Sequence, residues 1–259
     1  MLSSRRNILL FSGGQKFIPS DIPELDLWLD ANKGVIKDGG NNVSQWDDRT
    51  NTHTFLQAVG ANQPDWNANQ INGHPTIDFN GTTDYLKEVI ADWLIGSNTG
   101  SIFIVSIHSN NANITENYFT SSDEATNNDA LYFTSGFNAR NNSARIRFND
   151  GGVNNEVYGD DNIEDGVARI ITRESNGTSY VIRINGVNQS INELVVGDNN
   201  GKWLNDIANR DNISIGAVIR LTPGYIVGRF AEIIVYDAKI STADRAKVEN
   251  YLSNKYNIV

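Results

Sequence analysis

Gly228-Arg229-Phe230-Ala231-Glu232-Ile233-Ile234-Val235-Tyr236-Asp237, then Ser241-Thr242-Ala243-Asp244-Arg245, then Tyr251-Leu252-Ser253-Asn254-Lys255-Tyr256, decide the fold class. Ala231, Ile233 and Val235 alternate with Phe230, Ile234 and Tyr236. Both faces are therefore apolar apart from Glu232, the pattern of an interior strand covered on both sides. Ser241 with Asp244 three residues on is a capping-box variant, which predicts a helix start. Val248, Tyr251, Leu252 and Tyr256 recur at three- and four-residue spacing and give this helix one apolar stripe, which must dock on a sheet.

Outward from this segment, turn chemistry dominates. Asparagine is about one residue in seven. It is followed by glycine at Asn72, Asn80, Asn176, Asn185 and Asn200, the dipeptide that reaches positive φ cheaply in hairpins. Leu25, Leu27 and Leu29 predict a half-buried first strand, Ile102-Phe103-Ile104-Val105 a central one, and Ala168–Thr172 and Tyr180–Val187 a pair joined by Asn176-Gly177. Ala144, Ile146 and Phe148 point one way and Arg145 and Arg147 the other, onto solvent. Residues 41–70 read as a long excursion over the sheet, and 87–95 as a helical turn. More than ten short strands without βαβ alternation predict an all-β, two-sheet antiparallel jelly-roll sandwich with a short C-terminal helix.

Residues 1–22 read as an N-terminal arm carrying the apolar patch Ile8, Leu9, Leu10 and Phe11, and 23–259 as one sandwich domain. The patch follows Arg5 and Arg6 but is too short for the apolar core of a signal peptide, and no segment is long enough to span a bilayer. The formal charge of -10 argues against nucleic acid as a partner. The absence of cysteine excludes thiol, zinc-thiolate and disulfide chemistry.

Little catalytic chemistry is legible. His53, His74 and His108 share no metal-ligand spacing, and neither a nucleophile elbow nor a phosphate loop is present. Acid-rich loops leave a hard cation as a cofactor, with Asp160 and Asp161 as calcium ligands, although the EF-hand spacing fails at Ile163. Trp46, Trp66, Trp93 and Trp203 lie in or beside polar stretches rich in Asn, Asp and Gln. That combination of aromatic face and planar polar groups suits a glycan. Trp28, inside its strand, reads as structural.

The terminal strand and the helix from Ile240 to Tyr256 resemble the laminin-G-like, concanavalin-A-like β-sandwich domains of phage virion proteins and bacterial surface proteins. Leu27-Trp28-Leu29-Asp30-Ala31, Val43-Ser44-Gln45-Trp46-Asp47-Asp48 and the run from Pro75 to Leu86 share the resemblance. It implies a non-enzymatic virion component, a head decoration, head fibre or tail fibre. Such a protein would be attached to capsid or tail proteins through its arm, be trimeric as phage fibres often are, and bind a surface glycan. The alternative it implies is a glycan-binding module of a bacterial surface or secreted protein, extracellular in location. It adds Asp47 and Asp48 as loop calcium ligands. Glycosidases on this fold place two carboxylates on one strand face; Glu232 stands alone in its strand, so hydrolysis is the least favoured reading.

Overall fold

The computed structural model describes residues 16–88, 98–108, 117–135, 142–194 and 199–259. Its strands in chain order are β1 (Leu25–Asp30), β2 (Val35–Lys37), β3 (Val43–Asp47), β4 (Thr54–Leu56), β5 (Asp65–Ile71), β6 (His74–Asn80), β7 (Leu86–Glu88), β8 (Gly100–His108), β9 (Asn117–Ser122) and β10 (Ala130–Ser135). They continue as β11 (Ser143–Asp150), β12 (Val153–Asn162), β13 (Ala168–Ser175), β14 (Tyr180–Ile184), β15 (Val187–Asn188), β16 (Asn192–Glu193), β17 (Asn212–Ile215), β18 (Ala217–Val218), β19 (Gly224–Tyr225) and β20 (Val227–Tyr236). Helix α1 (Thr242–Tyr256) follows.

The strand quoted first is the spine of one sheet. β20 pairs with β8 along one edge; along the other it pairs first with β6, through Val227–Phe230, and then with β1, through Glu232–Tyr236. A register shift between Phe230 and Glu232 marks the change of partner. The order of this sheet is β15-β14-β13-β8-β20-β6-β5, with β1 on β20. The second sheet runs β16-β12-β11-β10-β9-β17-β7-β4-β3-β2. Every named strand pair is antiparallel, so the sandwich expected from the turn spacing is the architecture observed.

Between the sheets lies one apolar core, with Leu27, Leu29, Ile104, Ile233 and Val235 from the first sheet meeting Trp46, Phe55, Phe119, Phe133 and Ile146 from the second. Burying such a side chain stabilises the fold by roughly 1.5–3 kcal/mol. A second cluster covers the outer face of the first sheet, where Val248, Leu252 and Tyr256 of α1 pack on Trp28, Phe103, Val105 and Ile234. The helix therefore does what its stripe requires. Its cap is as read: Ser241 Oγ accepts from the Asp244 N–H at 3.1 Å. Its other end stops at Asn257 in the left-handed conformation.

Four expectations change. Residues 41–70 are not an excursion but contain β3, β4 and β5, short strands whose polar outward residues hid the alternation. The end of the predicted arm belongs to the domain: Ile22 is buried, Phe17 packs against Tyr251, and Tyr236 Oη donates to the Pro19 carbonyl at 3.1 Å. β1 is buried on both faces, not half-buried, because α1 lies over Trp28 and Asp30. Leu86–Glu88 form a strand, and the rest of the helical turn read there falls outside the described residues.

Candidate functional site

The tryptophans separate once folded. Trp46 and Trp203 have no exposed surface, so neither ring has a face to offer a sugar, and both leave the list of stacking candidates. Trp46 alternates inward from β3 while Gln45 and Asp47 turn outward, and its Nε1 donates to the Asp30 carbonyl at 3.3 Å. Trp203 lies on Phe133, ring centroids 5.0 Å apart, and against Gly100, whose added Cβ would sit 2.1 Å from its Nε1. Trp93, like Ile8, Leu9, Leu10 and Phe11, lies outside the described residues. Trp66 on edge strand β5 is partly exposed; its Nε1 donates to the Ala31 carbonyl at 3.0 Å and the Lys37 ammonium stands 4.7 Å above the ring.

The acids proposed for calcium are occupied by protein donors. Asp48 accepts from the backbone N–H groups of Thr50, Thr52 and His53, and Asp47 accepts from Thr54 Oγ1 at 2.8 Å. Asp160 accepts from Asn192 Nδ2 and Asp161 from Gln189 Nε2, both at 2.8 Å. Among the described residues no three His, Cys, Asp or Glu side chains gather in a way that could hold a metal ion.

Two carboxylates that the sequence kept apart do converge. Asp30 and Glu232 are directly opposed across β1 and β20. They lie beneath α1 with Lys255 between them rather than in a groove. Burial raises the Glu232 pKa, and the opposing Lys255 charge does not cancel that effect.

A further buried cluster ties the sheets together. His53 Nδ1 lies 3.2 Å from Glu88 of β7, and its Nε2 is 3.7 Å from Asp26 of β1. Burial works against the charged imidazole, but hydrogen bonding to Asp26 and Glu88, with their charges, outweighs it and raises the pKa to about 9 from 6.5. A group whose folded pKa is raised contributes fully below its unfolded pKa and loses that contribution as pH climbs through the folded one. The melting temperature is therefore expected to fall between pH 6.5 and about 9. In His53→Gln that segment of the pH profile should be flat; an unchanged slope in the variant would remove His53 as its cause.

The outer face of the second sheet carries a polar and aromatic set of which Arg147, Asn154, Tyr158 and Asn192 reach solvent, while Tyr132, Thr134, Arg145 and Glu156 beside them are buried. Helix α1 packs on the first sheet, and the outer face of the second is crossed by the β18–β19 hairpin, where Thr120 Oγ1 donates to the Ala217 carbonyl and Ser122 Oγ to that of Ile219. Beside the hairpin, the registers of β10, β11 and β12 bring Tyr132, Arg147 and Glu156 into one cross-strand row and Thr134, Arg145 and Tyr158 into the next. Asn192 extends the second row onto β16. Arg147 donates through Nε and a terminal nitrogen to Asn154 Oδ1 at 3.0 and 2.7 Å. Its guanidinium carbon is 5.2 Å from the centre of the Tyr132 ring. Arg220 from the hairpin donates to Tyr132 Oη at 2.9 Å. Arg145, read from sequence as solvated, is buried at 3% exposure and paired to the equally buried Glu156 at 3.4 Å.

This set was missed because each residue reads as an ordinary solvated strand position. The signal was nevertheless present. Once Gly151-Gly152 is taken as the two-residue hairpin turn after Asp150, carrying its register backward opposes Arg147 to Glu156 and Arg145 to Tyr158.

No family model matches the sequence, and no curated protein does. Solved structures do match. The CBM40 of the Ruminococcus gnavus IT-sialidase superposes with a TM-score of 0.52 at 14% identity, over 67% of this chain and 96% of that one. The shared fold is an antiparallel β-sandwich. The same CBM40 bound to α2,3-sialyllactose gives 0.51 at 15% identity, over 67% of this chain and 94% of that one. A Trypanosoma rangeli sialidase gives 0.57 at 10% identity, over 90% of this chain and 33% of that longer one. In a Streptococcus pneumoniae sialidase the chain matches only 27% of the length. At these identities the likeness concerns the fold. It lends the virion and laminin-G readings no support.

Proposed function

We propose that this chain is a non-catalytic glycan-binding module whose ligand lies on the outer face of β10, β11 and β12. One observation carries the reading: on the sheet face away from α1 the solvent-reaching side chains of Arg147, Asn154, Tyr158 and Asn192 lie on the adjacent strands β11, β12 and β16, with Arg147 held by Asn154 and by the buried Tyr132 ring. Planar guanidinium and amide groups match the paired oxygens of sugars, and aromatic rings match their apolar faces. Pre-positioned side chains keep the ordering cost of binding low. The likeness to a sialidase module crystallised with a sialyllactose supports this reading over attachment to a particle. It fits an extracellular or cell-surface location.

The test is binding of the purified protein to a panel of bacterial envelope polysaccharides and sialylated oligosaccharides, with and without a calcium chelator. Arg147→Ala should weaken binding by about tenfold or more while leaving the melting temperature within a few degrees, because this side chain is partly exposed and its partners are a solvent-facing amide and a ring. If Trp66→Ala abolishes binding and Arg147→Ala does not, the ligand sits on the β5 edge and the face proposed here is wrong. Loss of binding in chelator would bring a cation into the site.

A further inference from the structure

Beneath α1 three side chains form an arrangement that a simple ion pair does not require. Lys255 Nζ is 2.8 Å from Asp30 Oδ2 and 2.7 Å from Glu232 Oε2. Exposure of the three side chains is 14%, 4% and 0% respectively. Aromatic groups enclose them: Trp28 Nε1 donates to Glu232 Oε1 at 2.6 Å, Tyr251 Oη to the same oxygen at 3.0 Å, and Tyr256 Oη to Oε2 at 2.8 Å. The other Asp30 oxygen, Oδ1, accepts two N–H groups of Asn32, from the backbone at 3.0 Å and from Nδ2 at 2.7 Å. Arg49 lies 3.4 Å from Oδ2.

We propose that Lys255 and Asp30 condense to an intramolecular amide, with Glu232 as the proton shuttle. A lysine amine becomes a nucleophile when it is desolvated and deprotonated, and a carboxyl buried among rings is disposed to take up a proton. Lys255 Nζ gives one proton to Glu232, which passes it to Asp30 Oδ2 and so makes Asp30 the neutral acid. The free amine then attacks Asp30 Cγ. Charge collects on Oδ1, where the two Asn32 donors stabilise it as an oxyanion hole does. A second proton leaves Nζ, again through Glu232, and Oδ2 departs as water. The C–Oδ2 bond breaks, the Cγ–Nζ bond forms, Glu232 returns to its starting state, and no oxidant or co-reactant is consumed. The product staples α1 to β1 in a chain that has no cysteine for a disulfide.

The experiment is the intact mass of the purified full chain under denaturing conditions, followed by tandem mass spectrometry of its digest. The expected mass lies about 18 Da below that of the sequence, one water lost on amide formation, with the Asp30 and Lys255 peptides joined. Glu232→Gln should restore the full mass. A wild-type protein of full mass overturns the proposal, whether or not the variant folds. So does a water loss that maps to Asp38-Gly39, Asp150-Gly151 or Asp165-Gly166, where a cyclic imide has the same mass.

Discussion

Trp203→Ala should cost the fold about 3–5 kcal/mol, the range for emptying a large buried aromatic site. Against a typical total of about 5–15 kcal/mol this is a large fraction. The ring is fully buried, lies on Phe133 and fills the space against Gly100, which has no side chain of its own to occupy the void. Its peptide N–H is held by Asp206 at 2.8 Å, which fixes the entry of the chain into the one-turn helix Leu204–Asp206. Denaturant titration should show the midpoint falling with the slope unchanged. A variant that keeps wild-type stability but loses glycan binding would return this tryptophan to the ligand site.

The second large effect is expected at Lys255. Lys255→Met leaves Asp30 and Glu232 opposed beneath α1 without the cation that touches both. Removing one member of a buried ionic group typically costs about 3–5 kcal/mol, because the remaining charge stays desolvated. Glu232 keeps its three aromatic donors and Asp30 keeps Arg49, so the loss belongs to mutual repulsion and desolvation. Adding Glu232→Gln to Lys255→Met should recover part of it, since the two changes share one network and will not add. Strict additivity in urea titrations would show that the groups act independently. Where the amide has formed, its loss in Lys255→Met adds to the electrostatic term.

Local signals in the sequence were faithful to the fold. Ser241 and Asp244 cap α1, and Asn72-Gly73 and Asn185-Gly186 both take the positive φ that their hairpins need. The alternation in β20 gave its burial on both faces. What could not be read was pairing between distant segments. Glu232 is a lone acid in its strand until Trp28, 204 residues away in the chain, donates to it. Arg145 reads as solvated until Glu156 is placed beside it. Trp46 sits in a polar stretch, and its burial follows only when β3 is recognised as a strand with Gln45 and Asp47 facing the other way. Turn dipeptides and caps are local chemistry, whereas the candidate site is built from the register between strands.

The divided pairing of β20 has a consequence for the order in which the chain can fold. β1 begins at Leu25, yet its sheet neighbour is the second half of β20, ending at Tyr236; the first half of that same strand completes the β6 edge. As the chain leaves the ribosome, β1 has no strand to join until nearly the whole domain has been made, and Leu27 and Leu29 have only half of their core. Contacts of such long sequence separation form slowly and leave apolar strands exposed in the meantime. The domain should consequently acquire its protease resistance in one late step, when β20 inserts, rather than strand by strand.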